Sequence, residues 1–385
     1  MRASASIQIN RGVIPAKAGI QNVQCYNDSH SLDSRLRGND SPLNQMSCST
    51  GFIKLFSTLV IITLFVVILS GSVSAFEKTS TTAATFLQIP VGGRLPAMGG
   101  AGVAYSGNAE MLSTNPAASL AGQGVGVSVS YIDWFAGLRH QSAAVVIPYN
   151  NDLSFGIHVI SFSGDEFEQT TLTSQEGNGV MVNYGDLAIA ASGISQLTDR
   201  FTVGVTGKLI RQTLFHTSAS TFAFDVGTLL KTELEGLSIG MAMTNLGGEM
   251  QLDGRDLIVE PGGISGGETR LSTSAWSLPL TFQTGIAWNY YKSDPHSLLF
   301  AADAKHLNEG TTTVHLGMEY GFGETVYLRS GRILGHDTES WAFGFGIHFN
   351  IYDYSVTTDM AYADLGDLDT VERITISLTR RKNRE

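Results

Sequence analysis

The chain has 385 residues, of which 43% are hydrophobic and 15% are charged, with 43 glycines, 9 prolines and a formal net charge of -11. This composition excludes a disordered chain, a collagen and a basic protein that coats nucleic acid. A chain of this length can hold two or three ordinary domains, but large all-β barrels reach the same size as one unit. The composition favours the single barrel.

The N-terminal region carries the features of a signal peptide. From Met46 the chain runs through Lys54 into an apolar stretch from Leu55 to Leu69, and small residues follow up to Ala75. The apolar stretch is shorter than the ~20 residues that a membrane-spanning helix needs. Residues 46–75 are therefore predicted to be cleaved after Ala75, with an uncleaved anchor as the alternative, and both imply export.

Residues 1–45, upstream of Met46, resemble a translated intergenic DNA repeat found in many bacterial genomes, so we expect them not to be expressed. Both cysteines, Cys25 and Cys48, lie before the predicted cleavage site. The mature chain therefore has no thiol, which excludes disulfides and cysteine-based metal sites. No metal site and no cofactor is predicted.

The plug is predicted next, over residues 76–123, because this segment is apolar and Gly-rich and does not alternate. Such a segment is not expected in lipid or free in the periplasm, whereas a plug folded into a barrel mouth, with short helical turns, would bury it. Asn115 before Pro116 fits a turn, since a proline disfavours the α region for the residue before it. Arg94 is expected to pair with a lumen carboxylate, with a ligand role as the alternative.

After the plug the chain alternates with a period of two, which is the pattern of a β-strand. From Trp341 to Phe349, large apolar residues hold the odd positions and Ala, Gly and His hold the even ones; similar alternation recurs from Leu280 to Trp288 and from Phe201 to Leu209. The pattern predicts about fourteen strands. They lie near residues 124–134, 139–148, 152–163, 180–197, 201–214, 218–232, 237–246, 278–290, 298–307, 311–322, 325–333, 341–351, 354–363 and 372–380.

The connections between these strands alternate between short and long. Those after even-numbered strands are tight, such as residues 149–151 and 198–200, whereas the long ones, near 164–179 and 247–277, follow odd-numbered strands. Outer-membrane barrels have an even strand number, short periplasmic turns and longer external loops. Because the mature chain has no apolar run of 18 residues, only a closed β-barrel could place it in a membrane.

A secreted sandwich or propeller shows the same alternation, so the side chains must decide which face meets solvent. One face is mostly Gly, Ala, Ser and Thr, which suits a crowded lumen, and the other carries large aromatics at strand ends. These aromatics are Trp134, Trp288, Tyr290, Trp341, Tyr354 and Tyr362. The predicted fold is an all-β, about 14-stranded antiparallel transmembrane β-barrel over residues 124–380, with the short plug inside it and a basic tail at 381–385.

Nine ionisable residues fall on the predicted lumen face. They are Lys208, Asp225, Asp303, Lys305, His315, Glu319, Arg329, Asp359 and Arg373. A loop over residues 215–218 would put Lys208 opposite Asp225, and the hairpin around residues 308–310 puts Asp303 near His315. The favoured interpretation is that such pairs satisfy each other inside a narrow barrel, and a conduction or proton role is the alternative.

The predicted plug also carries a set of short motifs. Its motif residues are Gly92, Gly93, Arg94, Met98, Gly99, Gly100, Asn115, Pro116 and Ala117. Together with Asn245-Leu246-Gly247 and the ending Ile374–Leu378, they resemble the PorV/PorQ family of outer-membrane proteins. That family is itself similar to the FadL long-chain fatty-acid channels, which carry the same Asn-Pro-Ala element in an N-terminal hatch. The matches span nearly the whole mature chain.

The resemblance implies a non-enzymatic barrel in the lipid of the outer membrane. Similarity to PorV implies binding of exported proteins or secretion-system components at the external loops, which would serve protein secretion or surface attachment. Similarity to FadL implies the alternative, passive transport of hydrophobic small molecules such as fatty acids and hydrocarbons. The crowded lumen and the long loop at 247–277 favour the first. No nucleic-acid partner is predicted.

Catalysis is not predicted from the residues themselves. The run Gly263-Ile264-Ser265-Gly266-Gly267 matches the hydrolase elbow pattern in letters. That motif needs a sharp turn from a strand into a helix, and here it lies in a Gly-rich loop.

Overall fold

The computed structural model describes residues 82–119, 124–259, 269–310, 312–336, 341–366 and 370–380. The predicted signal peptide, the segment before it, the run around Ser265 and the basic tail lie outside these residues. Among the described residues, no helix is long and apolar enough to cross a membrane.

In the described part of the chain, fourteen long antiparallel strands form one closed sheet. They are β1 Gly126–Asp133, β2 Arg139–Pro148, β3 Leu153–Ser163, β4 Tyr184–Thr198, β5 Phe201–Leu214, β6 Thr217–Lys231, β7 Leu237–Gly247, β8 Thr281–Ser293, β9 His296–Leu307, β10 Thr312–Phe322, β11 Val326–Leu334, β12 Trp341–Ile351, β13 Tyr354–Asp364 and β14 Thr370–Arg380. Each strand pairs with the next, and β14 pairs back to β1 with Thr379 opposite Gly126. The predicted 14-stranded barrel is confirmed.

Two of the long loops carry short strands of their own. In the β3–β4 loop, Phe167–Glu168 pairs with Met181–Val182, so β4 begins at Tyr184 and not at the predicted residue 180. The β7–β8 loop forms a ribbon, which we call the β7–β8 ribbon, from residues 249–259 and 269–277. Its pairings are Glu249–Met250 with Trp276–Ser277, Ile258–Val259 with Thr269–Arg270, and Asp253–Gly254 with the start of β6.

The two faces of the barrel wall differ as the alternation predicts. In β1 every second residue is buried, with Ser128 and Ser130 facing the lumen, whereas Val129 is 54% exposed on the outer face. Outer faces of this kind suit lipid contact. The prediction that Trp134 belongs to the outer aromatic girdle is wrong, because its ring packs against the buried cluster that contains Ile132.

Residues 82–119 lie inside the barrel and form the predicted plug. They contain four short helical turns: Thr85–Gln88, Arg94–Ala97, Ala109–Ser113 and Pro116–Ala118. At the end with the long loops, Thr82 bridges to Ser277 of the β7–β8 ribbon. At the end with the tight turns, Ala117 contacts Gly204, near the start of β5. Since long loops of such barrels are external, the plug runs from the external mouth towards the periplasmic one.

Candidate functional site: the contact between plug and barrel wall

Glycines of the wall let the plug backbone touch the strands. A Cβ on Gly331 of β11 would lie 2.0 Å from the nitrogen of Gly99, whose φ of +64° is a left-handed conformation that favours glycine. A Cβ on Gly204 would lie 2.6 Å from the nitrogen of Ala117. A Cβ would also meet plug atoms at less than 3.0 Å at Gly156, Gly227, Gly240, Gly317 and Gly344. At this level the lumen is filled by the plug.

Asn115 ties the lower part of the plug to β6. Its backbone is extended, with φ of -146° and ψ of 103°, and Pro116 begins the short helical turn that follows. Its buried side chain donates to the carbonyls of Val103, at 2.7 Å, and Thr228, at 3.1 Å, and accepts from the Ala117 N–H at 3.1 Å. The Asn-Pro-Ala element thus fixes this part of the plug against β6.

Asp303 and His315 lie directly opposite each other on β9 and β10, as the hairpin pairing predicts. Each of them, however, bonds to the plug and to one neighbouring wall side chain. Asp303 Oδ2 accepts from the backbone N–H groups of Gly102, at 2.7 Å, and Val103, at 2.8 Å, and the imidazole Nδ1 of His315 lies 2.6 Å from the Gly99 carbonyl oxygen. The expectation that this pair satisfies itself is corrected, because the plug backbone and neighbouring wall side chains supply the partners.

Lys208 and Asp225 form an ion pair inside the wall, with Nζ 2.8 Å from Oδ2. The predicted register is wrong by two residues: Lys208 faces Ala223 and Asp225 faces Thr206, because the turn between β5 and β6 has two residues and not four. The two side chains therefore meet diagonally across the strands. Asn245 bonds to both members of the pair. Its side-chain oxygen accepts from Lys208 at 2.7 Å, and its backbone N–H donates to Asp225 at 2.8 Å.

A cluster of buried charges lies at the centre of the plug–wall contact. Arg94 of the plug pairs with Glu319 of β10. Arg329 of β11 donates from Nε to Glu319, at 2.6 Å, and from Nη1 to Asp359 of β13, also at 2.6 Å. The Arg94 guanidinium also lies 3.7 Å from the ring centroid of Tyr105. One chain of charge-assisted hydrogen bonds therefore connects the plug to three strands.

Glu110 is a plug residue that the sequence analysis missed. It is 4% exposed, and its Oε2 has no hydrogen-bond partner among the described residues. A Cβ on Gly92 would lie 2.3 Å from that oxygen, so the carboxylate would have to shift, and the φ of +91° at Gly92 favours glycine. Burial, and secondarily the nearby Asp359, raises the pKa of Glu110 to about 8. Its one sequence signal is an acidic side chain in an otherwise apolar stretch.

The other predicted site residues lie around this contact. A Cβ on Gly93 would lie 2.7 Å from a wall carbonyl oxygen, and one on Gly100 would lie 3.0 Å from the wall imidazole. Met98 is fully buried. Lys305 is half-buried, and Arg373 is 2% exposed with its guanidinium 5.8 Å from the ring of Trp134. In the described part of the chain no group of three or more metal-binding side chains comes together.

A cavity of about 430 Å³ lies at the external mouth, where the plug begins. It is bounded by the first plug residues, by β5 and β6 and by the β7–β8 ribbon, and none of its lining side chains is charged. The lining residues are Thr82, Ala83, Ala84, Thr85, Gln212, Ala219, Met250, Leu252, Thr273, Ser274 and Trp276.

The family model described as type IX secretion system protein PorV matches residues 73–255. Over this segment the chain is similar to the PorV family. The matched residues include the plug and β1 to β7. With the closed antiparallel barrel, this makes it an outer-membrane β-barrel protein. No curated protein matches the chain in sequence.

Solved structures show the same fold at low sequence identity. The chain is similar to the CymD monoaromatic hydrocarbon channel, with a TM-score of 0.51, 14% identity and coverage of 76% of this chain and 98% of that one. The toluene transporter TodX of P. putida gives a TM-score of 0.51 and 12% identity over 76% and 99% of the two chains. The toluene transporter TbuX of Ralstonia pickettii gives 0.50 and 13% over 76% and 98%.

Proposed function

We propose that this barrel binds exported proteins or secretion-system components at its external loops and thereby helps to export them or attach them at the cell surface. The observation that carries the proposal is the filling of the lumen: wall glycines touch the plug backbone, and buried charges hold the plug to three strands. A barrel filled in this way is better suited to present a binding surface than to conduct solutes through its lumen.

The external side offers the surface that this function needs. The β7–β8 ribbon extends beyond the barrel strands and pairs with β6 at Asp253–Gly254. The β3–β4 loop forms a second ribbon with exposed apolar side chains, among them Phe167 at 54% and Leu172 at 98% exposure. Exposed apolar groups outside the lipid band are typical of docking surfaces. The match to the secretion-system family points the same way.

The experiment is a comparison of surface proteins with and without this barrel. Surface labelling and mass spectrometry would be applied to the source cells, to a deletion strain and to that strain carrying the gene again. We expect one or more exported proteins to leave the surface in the deletion strain and to return on complementation. An unchanged surface proteome in the deletion strain contradicts the proposal.

A second candidate function is the passive transport of hydrophobic small molecules. The partly apolar cavity at the external mouth and the fold shared with proteins named as hydrocarbon channels favour it. It predicts faster entry of fatty acids or aromatic hydrocarbons into liposomes that contain the protein. Entry at the rate of protein-free liposomes contradicts transport.

A further inference from the structure

A groove of about 340 Å³ lies on the outer face of the wall, at the end of the barrel that carries the long loops. It is lined by Trp341 and Phe343 of β12 and by Tyr362 and Asp364 of β13. The three aromatic side chains are 46%, 53% and 46% exposed, so their rings are accessible from outside the barrel. Since the long loops of such barrels are external, the groove lies at the level of the lipid headgroups of the outer leaflet.

The strand register brings these side chains together with one cation. Arg332 of β11 lies directly opposite Trp341, and Tyr362 of β13 lies directly opposite Phe343. The same register puts Asp364 beside Trp341, on the side away from Arg332. Because neighbouring strands are about 4.8 Å apart, the Cα atoms of Arg332 and Asp364 are separated by roughly 10 Å, with Trp341 between them.

The geometry of these groups suits a sugar. The rings of Trp341 and Phe343 are parallel within 4°, with centroids 6.3 Å apart, and the Arg332 guanidinium lies 4.9 Å from the centroid of the Trp341 ring. One carboxylate oxygen of Asp364 accepts from the Gly366 N–H at 2.9 Å, which holds the group at the rim. A sugar ring has apolar C–H faces that pack on aromatic rings, and its hydroxyl groups donate to a carboxylate.

The aromatic cluster at the opposite end of the wall is built differently. There the ring of Trp288 meets that of Tyr290 edge-on, at 83° and 4.9 Å between centroids. The cross-strand neighbours of Trp288 are Phe300 and Leu237, which are both apolar. Such a cluster is what an interfacial girdle requires, whereas a girdle alone explains no pair of opposite charges beside Trp341.

We propose that the groove at Trp341 binds the phosphorylated sugar headgroup of a glycolipid of the outer leaflet. The sugar ring packs on Trp341 and Phe343, Asp364 accepts from its hydroxyl groups, and Arg332 donates to the phosphate. A groove for acyl chains alone would need no charged group. The inference goes beyond the proposed function and does not depend on it, because the groove faces lipid and the docking surface lies on the external loops.

The test measures binding of a glycolipid to the purified full barrel in a detergent without sugar groups. The probe is lipid A, a diphosphorylated disaccharide that carries acyl chains, and native mass spectrometry gives its apparent Kd. Trp341→Leu removes the ring and keeps an apolar side chain, and Trp288→Leu is the matched control at the other end of the wall. We expect Kd to rise about tenfold in W341L and to change by less than about twofold in W288L.

Arg332→Gln tests the phosphate contact separately. We expect R332Q to raise the Kd for lipid A about tenfold, because a charge-assisted hydrogen bond is lost. Its Kd for lipid A from which both phosphates have been removed should match that of the unaltered barrel within about twofold. Circular dichroism and the heat-induced shift in gel mobility verify that each variant folds as a barrel, and R332Q decides the question if W341L does not fold.

Four outcomes would overturn the inference. The first two are the lack of saturable binding of lipid A and an equal Kd for W341L and the unaltered barrel. The third is an equal loss in W341L and W288L, which would reduce the groove to a part of the aromatic girdle. The fourth is displacement of lipid A by phosphatidylglycerol as readily as by lipid A itself, which would make the contact a general one for anionic lipids.

Discussion

Asp303 accepts a hydrogen bond of 2.8 Å from the backbone N–H of Val103, and both residues are buried. A carboxylate of β9 thus holds the main chain of the plug, and the Gly102 N–H adds a second bond of 2.7 Å to the same oxygen. Hydrogen bonds to an ionised group are roughly twice as strong as neutral ones, so this contact is expected to fix the middle of the plug.

Asp303→Asn tests that contact. An amide oxygen accepts the same two bonds without a full charge. We therefore expect the free energy of opening the plug to fall by about 1–3 kcal/mol. The measurement is hydrogen exchange followed by mass spectrometry on the plug peptide that contains Val103, which should exchange faster. Asp165→Asn, in an exposed loop, is the control, and equal exchange in both variants would show that Asp303 does not hold the plug.

The close approach of Gly331 to Gly99 predicts a strong effect of a single methyl group. Gly331→Ala would put a Cβ 2.0 Å from the Gly99 nitrogen, so the plug or β11 must shift. Overpacking of this kind costs about 1–3 kcal/mol, or more where the backbone cannot move. We expect a lower denaturant midpoint for unfolding from lipid vesicles.

Gly193→Ala is the matched control, because a Cβ there meets no atom within 4 Å. It lies on β4 of the same barrel, so it makes the same Gly-to-Ala change within a strand and alters strand propensity to a similar degree. A midpoint for G331A that equals that of G193A would argue against contact between plug and wall at Gly331.

Arg329 is predicted to be the most sensitive member of the charge cluster, because it binds two carboxylates. Arg329→Met leaves Glu319 and Asp359 facing each other without that cation, and breaking a buried pair costs about 3–5 kcal/mol. The exposed pair Arg200–Glu233 provides the control, since Arg200→Met should cost less than about 1 kcal/mol. Unfolding free energies from urea titration compare the two, and similar losses would contradict the prediction.

The buried carboxyl group of Glu110 should make the free energy of unfolding depend on pH. Its pKa rises from 4.5 to about 8 in the folded protein, mainly through burial, so the folded state holds a proton that the unfolded state releases. Stability should therefore fall as pH rises between these two values, by at most about 1.4 kcal/mol per pH unit. Glu110→Gln cannot ionise, so its unfolding free energy should fall less over pH 5 to 8. Parallel pH profiles for E110Q and the unaltered barrel would refute the assignment.

Local periodicity predicted most of the barrel strands. A period of two is a property of neighbouring residues, so β12, for example, is found at Trp341–Ile351, the range that the alternation predicts. The boundaries fail where a loop forms its own pairing, as at Met181–Val182 before β4. There the choice of partner strand depends on residues distant in the chain.

Side-chain partners were predicted less well, because each needs the register and the position of the plug together. The Lys208–Asp225 pair forms despite a register error of two residues, since long side chains reach a diagonal neighbour. Asp303 and His315 lie opposite each other as predicted, yet they bind plug backbone that is about 200 residues away in sequence. Glu110 gave no periodic signal at all.

The sequence by itself determined the strand number, the alternation of short and long connections, the identity of the lumen face and the existence of a plug. These follow from patterns within a few residues, or from an apolar segment, here residues 76–123, that must be buried. Only the tertiary structure decided which glycines meet the plug, where Arg94 finds its carboxylate and where Thr82 joins the β7–β8 ribbon. The physical reason is that the plug contacts strands from β1 to β13, and no local pattern records which residue meets which.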